Sequence, residues 1–209
     1  WDETIDTLSL NANLEILIDV CDAIAFAHAE GVIHRDLKPQ NIMIGGFGEV
    51  LVLDWGMAVL TEPGEDVNAS AGGTPAYMAP EMINPPFLVG PRSDVYLLGA
   101  ILFHFLTGKA PHAGKSARSS LEAVSKNEIV TPDAERIQEL DPTGVLLSVA
   151  LKAMATASAA QASTASGDIA EVEAKPHAPR ATTRTPPPAS SRRPSLPTRP
   201  FLVSMSSER

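Results

Sequence analysis

Gly31-Val32-Ile33-His34-Arg35-Asp36-Leu37-Lys38-Pro39-Gln40-Asn41, followed by Asp54-Trp55-Gly56 and then by Ala79-Pro80-Glu81, decides the reading of this chain. Upstream of it, Leu14, Leu17, Ile18, Cys21, Ile24 and Ala25 recur at one-, three- and four-residue steps, which predicts an amphipathic helix that Gly31 stops. Val32-Ile33, Ile42-Met43-Ile44 and Val50 to Leu53 are short β-branched or aliphatic runs. The last two flank Gly45-Gly46 and Gly48 and read as a tight hairpin. Residues 57–80, rich in Gly, Pro, Thr and Ser, read as a long functional loop.

Farther out, Ser93 is placed to cap a helix whose first turn holds Asp94. Val95 to Leu106 make that helix apolar nearly all round, so it belongs at the centre of a core, and Gly108 ends it. Shorter helices are predicted around 119–127 and 143–154, with Pro142 before the second. The fold class is therefore mainly α, with small hairpins carrying the motif loops.

The chain has 209 residues and a formal net charge of −9, unevenly spread. Residues 1–174 hold 9 Lys and Arg against 24 Asp and Glu; residues 175–209 hold 7 against 1. An acidic body lacks the basic surface that sequence-independent nucleic-acid binding needs, so no nucleic-acid partner is expected. One cysteine, Cys21, rules out a disulfide framework within the chain and fits a cytoplasmic compartment, although a membrane anchor elsewhere in a longer parent is compatible. The longest apolar run, Val95 to Leu106, is shorter than the ~20 residues that span a bilayer. From about Ala157 the composition turns to Ala, Ser and Thr, then Pro, Arg and Ser. Domains are thus expected at 1–156 and, as a low-complexity disordered tail, 157–209.

The three motifs contain what phosphoryl transfer requires: a group that accepts the proton of an attacking hydroxyl, cations against phosphate oxygens, and oxygen ligands for magnesium. Asp36 is the candidate base. Lys38, two residues on, can set its ammonium against the transferring phosphate. Asn41 and Asp54 offer the hard oxygens that Mg²⁺ selects. Taken singly, an Asp-x-Lys is usually a surface pair, and an Asn before a strand or an Asp-Trp-Gly is usually a turn. The ordered set carries the functional reading.

With these residues, and with Gly73-Thr74-Pro75-Ala76-Tyr77-Met78-Ala79-Pro80-Glu81 and Ser93-Asp94-Val95-Tyr96-Leu97-Leu98-Gly99, the chain resembles the C-terminal lobe of bacterial, eukaryotic-like Ser/Thr protein kinases. Trp55 stands where Phe is more usual. The resemblance implies ATP and two Mg²⁺ ions as cofactors, and Ser/Thr-bearing proteins as substrates. It places Thr74 against Asp36 and Lys38, and Met43 under the adenine, with ordinary core packing as the alternative for Met43. Arg35 would read a phosphate on the activation segment, where Thr61, Ser70 and Thr74 are the available hydroxyls. His34, stacked under Trp55, and Gly56, Glu81 and Asp94 receive structural roles, and His28 reads as a helix-terminal packing or capping residue. His104, His112 and His177 receive none.

Family parts that grip the nucleotide from above, the Gly-x-Gly-x-x-Gly turn, the lysine strand and its glutamate helix, are not among these residues. The resemblance therefore implies that a missing N-terminal lobe is required and that this chain alone is inactive. No arginine follows Arg136 until Arg180, so Glu81 is expected to lack its family partner, and the change near residue 156 suggests a shifted reading frame. Two alternatives are a pseudokinase or scaffold lobe that binds proteins, and a proline-rich tail acting as an interaction arm.

Overall fold

The computed structural model describes residues 1–165, with side chains described through Ala155. Helix α1 spans Leu10–Ala29 and begins earlier than its apolar period suggests, because Ser9 accepts a hydrogen bond from the Ala12 amide and caps it. Buried Asn13 belongs to this first turn, its amide donating to the carbonyls of Ile5 (2.8 Å) and Leu8 (3.4 Å). Gly31, at φ +71°, turns the chain out of α1 into β1 (Val32–Ile33).

Strands β2 (Ile42–Ile44) and β3 (Val50–Val52) form the expected antiparallel hairpin, with Met43 opposite Leu51. The loop 57–80 is less free than its composition suggests. Strand β4 (Val59–Leu60) pairs with β1, and β5 (Val67–Asn68) pairs with β6 (Leu88–Val89). Pairings between segments so distant in sequence leave no local period to read.

Helix α2 runs Pro91–Thr107 through the centre of the core, with Tyr96, Leu97, Ala100, Ile101, Phe103, Phe105 and Leu106 all buried. Its start corrects the sequence expectation: Gly90, not Ser93, is the N-cap residue. Pro91, with φ already helical, opens the helix, and Ser93 sits in its first turn accepting from the Gly90 amide at 3.3 Å. Gly108, at φ +73°, ends it as expected.

Helices α3 (Ala117–Ser125, capped by Ser116), α4 (Ala134–Leu140) and α5 (Val145–Ala165) follow. Helix α4, which sequence periodicity missed in so short a segment, places Arg136 so that it donates to the terminal carbonyls of α2 at Phe105 (2.9 Å) and Leu106 (3.2 Å). Helix α5 lies along α2, and a Cβ at Gly99 would sit 2.7 Å from that of Ala153, so glycine there permits the close approach. The backbone of α5 continues to Ala165, past the expected boundary at residue 156, through a run in which alanine, the residue of highest helix propensity, alternates with Ser, Thr and Gln. The remainder of the expected tail, His177 included, lies outside the described residues. No helix among the described residues is long and apolar enough to cross a membrane.

Candidate active site

The β2–β3 hairpin brings the two motif loops together. A 3₁₀ turn at Pro39–Asn41 leads into β2, another at Trp55–Met57 follows β3, and antiparallel pairing puts both at one end. The Leu53 amide donates to the Asn41 carbonyl at 2.8 Å, so Asn41 and Asp54 leave the hairpin side by side.

Around Asp36, which is 6% exposed, the polar side chains close on one another. Lys38 Nζ donates to Asp36 Oδ2 at 2.8 Å and to Thr74 Oγ1 at 2.6 Å, and Thr74 Oγ1 donates to Asp36 Oδ1 at 2.7 Å. Asn41 Nδ2 donates to the Asp36 carbonyl (2.8 Å) and to Oδ2 (3.2 Å). With its amino group so engaged, Asn41 keeps its carbonyl oxygen for another ligand. Thr74 reaches this point because Gly73, at φ +124°, lies where a Cβ would come within 3.0 Å of the Arg35 carbonyl.

Asp54 is exposed and left-handed at φ +58°, and its only side-chain bond among the described residues is a long one from the Gly56 amide, 3.4 Å. Next to it, Trp55 lies over His34 with ring centroids 4.6 Å apart, and its indole donates to the Val52 carbonyl at 3.1 Å. His34 is fully buried, contacts the Leu53 carbonyl through Nε2 at 3.0 Å and accepts from the Asp36 amide through Nδ1 at 3.2 Å. Burial holds its pKa below the ordinary value, outweighing the opposite pull of the Leu53 bond and of Asp94, Asp36 and Asp54. A neutral ring with Nε2–H satisfies both bonds.

Asp94, fully buried at the head of α2, supports this loop from beneath. Its Oδ2 accepts from the His34 amide and its Oδ1 from the Arg35 amide, both at 2.8 Å. His28, near the end of α1, also reaches Asp94 Oδ2, at 2.8 Å. Sequence reasoning missed this contact, because nothing local to α1 points to a partner on another helix. Of the histidines given no role, the two among the described residues are also bonded: the Tyr77 hydroxyl meets His104 Nδ1, and the Tyr96 hydroxyl meets His112 Nε2, each at 2.7 Å.

Arg35 sits at φ +72° with its guanidinium buried and donating to the carbonyls of Met57 (3.1 Å) and Ser70; its Nε finds no partner among the described residues. Of the three candidate hydroxyls, that of Thr74 is enclosed by Asp36 and Lys38, that of Thr61 donates to the Glu65 carbonyl (3.2 Å), and Ser70 is exposed beside Arg35. Glu81 is buried, with Oε1 accepting from Ser93 Oγ at 2.8 Å and Oε2 unpartnered among the described residues. Desolvation raises its pKa, against the lowering effect of hydrogen bonds from its own backbone and from Ser93. Met43 is 44% exposed on β2, an apolar surface at the hairpin and not a member of the buried core.

Asn41 and Asp54 suit magnesium: both supply hard oxygens, adjacent in space and not consumed by other strong bonds. Among the described residues no three His, Cys, Asp or Glu converge as a metal site.

Comparison with known proteins gives the same picture. The protein kinase domain family matches residues 3–164. The chain is 41% identical over 146 residues to the serine/threonine-protein kinase PknD of Protochlamydia amoebophila, an alignment covering 60% of this chain and 14% of that protein. It is 39% identical over 145 residues to PknB of Mycolicibacterium smegmatis (68% and 23%), and 37% over 163 residues to a probable serine/threonine-protein kinase, CE0033, of Corynebacterium efficiens (76% and 24%). The aligned region thus spans less than a quarter of each of these relatives. A match over most of the chain, with the motif side chains assembled at one end of a hairpin, establishes that the chain belongs to the protein kinase domain family.

Proposed function

We propose that residues 1–165 form the catalytic, C-terminal part of a protein serine/threonine kinase that moves the γ-phosphoryl group of ATP to a protein hydroxyl. The observation that carries this reading is the closed set Asp36, Lys38, Thr74 and Asn41. Asp36 Oδ1, which accepts only from Thr74, keeps a lone pair beyond its present bond, so a substrate hydroxyl can donate to it, be oriented, and give up its proton as the phosphorus is attacked. Lys38, already beside that carboxylate, offsets the charge that would otherwise repel a phosphate. Thr74 ties the substrate-binding segment to the base, so that ordering one orders the other. Mg²⁺ held by Asn41 and Asp54, two ions by family resemblance, would neutralise the phosphate oxygens.

Met43 would lie against the adenine. Arg35, with the guanidinium already on the activation segment, would read a phosphate there, and Ser70 is the hydroxyl best placed for it. A scaffold function has no observation in its favour, since none of the four polar groups is lost.

The test is phosphotransfer from ATP to a Ser/Thr peptide by residues 1–165 preceded by the glycine loop and lysine strand of a bacterial relative. Incorporation that vanishes in Asp36→Ala supports the reading; equal incorporation in both overturns it. The 209 residues alone should give little or no turnover, since positioning supplies most of this reaction's acceleration.

A further inference from the structure

We propose that His112 is a positioning residue for the substrate-binding turn 74–78. The inference rests on the kinase reading, in which that turn, tied to Asp36 through Thr74, seats the peptide substrate. Within the turn the Tyr77 and Met78 amides both donate to the Thr74 carbonyl, at 2.9 and 3.2 Å. These bonds give it a shape and leave its orientation open. One anchor is the Thr74 hydroxyl, between Asp36 and Lys38. A second comes from the far side, where the His112 amide donates to the Ala76 carbonyl at 3.0 Å.

His112 lies in the connection between α2 and α3, with no helix or strand of its own to hold that amide in place. The Val130 amide, 2.8 Å from the Pro111 carbonyl, holds the other end of the same peptide unit. The histidine ring holds this end. Nδ1 stands 2.7 Å from the Glu128 carbonyl, which can only accept, so Nδ1 carries the ring proton. The residue is fully buried, which favours the neutral imidazole and leaves Nε2 a bare acceptor for the Tyr96 hydroxyl at 2.7 Å.

Tyr96 is itself fully buried in α2, and its hydroxyl also lies 3.2 Å from Asn127 Oδ1. The imidazole is thus gripped by α2 through one nitrogen and by the segment after α3 through the other. An apolar ring would fill the same volume; two hydrogen bonds on opposite sides also fix the direction in which it lies. This path from the core helix to the substrate turn bypasses the catalytic loop. Loosening it should therefore weaken the hold on the peptide while Asp36, Lys38 and Thr74 keep their bonds.

Amide hydrogen exchange on the 209-residue chain tests this without requiring turnover, so its outcome is separable from that of the kinase reading. In His112→Phe, which keeps a planar ring and removes both nitrogens, exchange at residue 112, Tyr77 and Met78 should accelerate about three- to tenfold, the range expected for one hydrogen bond. Exchange at Ala100, Ile101 and Phe103 in α2 should hold. Tyr96→Phe should give the same pattern, and the double variant should go no further than His112→Phe, because both substitutions break one path. Unchanged exchange at the three amides, acceleration spread evenly over α2, or additive effects in the double variant would each overturn the proposal. In the chain completed by the glycine loop and lysine strand of a relative, His112→Phe should raise the peptide KM by about the same factor and leave kcat and the KM for ATP unchanged; a fall in kcat with the peptide KM unchanged would refute it. Should His112→Phe not fold, the unmutated protein decides: nitrogen spectra showing a proton on His112 Nδ1 and a bare Nε2 support the arrangement, and a proton on Nε2 sinks it.

Discussion

The catalytic loop, 34–41, and helix α2, 91–107, touch at Asp94 and are built on opposite principles. The helix is held by burial: aliphatic and aromatic side chains on most of its circumference, no exposure at Tyr96, Ala100, Ile101, Phe103 or Leu106, and an ordinary helical backbone. The loop is held by directed bonds: two short strands beside it, one left-handed residue, and polar groups that each satisfy a neighbour. Burial is tolerant of direction and adds up over area; hydrogen bonds fix angles but contribute little net stability. The protein therefore separates strength from aim, and lets the strong element carry one carboxylate that aims the weak one.

The largest effect that could break this contrast is on rate. In residues 1–165 completed by the glycine loop and lysine strand of a relative, Asp36→Ala should lower kcat about 10²–10⁴-fold, the usual share of a general base, while the thermal midpoint moves little. A comparable collapse of stability would show that the loop bears structural weight after all. Conversely, Phe103→Ala should cost about 3–5 kcal/mol in a urea titration, since it empties a fully buried site in α2.

Acid sharpens the comparison, because His34 in the loop and His104 and His112 against the helical core all have pKa values lowered by burial. For a base whose folded value is lowered, the stabilising contribution is complete above the unfolded value of 6.5 and is lost as pH falls through the folded one. The urea midpoint should therefore decline as pH drops below 6.5.

The smallest expected change is at the Glu81 carboxylate, and it runs in the other direction. With its pKa raised by desolvation, its contribution is complete below 4.5 and is lost as pH rises through the higher folded value. Glu81→Gln should therefore be more stable than the parent protein by about 1 kcal/mol at pH 7, with the difference shrinking toward pH 4.5. A destabilised Gln variant at pH 7 would mean that Oε2 has an ionic partner.

Sequence was most informative where chemistry is local. The order of His34, Asp36, Lys38, Asn41 and Asp54, the glycine-bounded hairpin and the apolar run of α2 are all periodic or contiguous, and each lies where the spacing places it. Contacts that cross the chain were much less legible. Nothing near His28 announces Asp94, nothing near Val67 announces Val89, and Ser93 looks like a cap until Pro91 is seen to open the helix. Helix α4 failed for a related reason: seven residues give barely two turns of period, and what fixes it is Arg136 on the end of α2. The bonds of Thr74 came from family likeness, since 35 residues, short strands and turns among them, separate it from Lys38 and no local pattern spans them.

The pairing of Asn41 with Leu53 makes the hairpin a gauge. Neighbouring strands stand about 4.8 Å apart, a repeat set by peptide hydrogen bonding that side-chain substitution scarcely alters. The gap at which Asn41 and Asp54 leave the hairpin is thus set by the main chain, and a substitution at either position changes the ligand that is offered without changing the span across which it is offered.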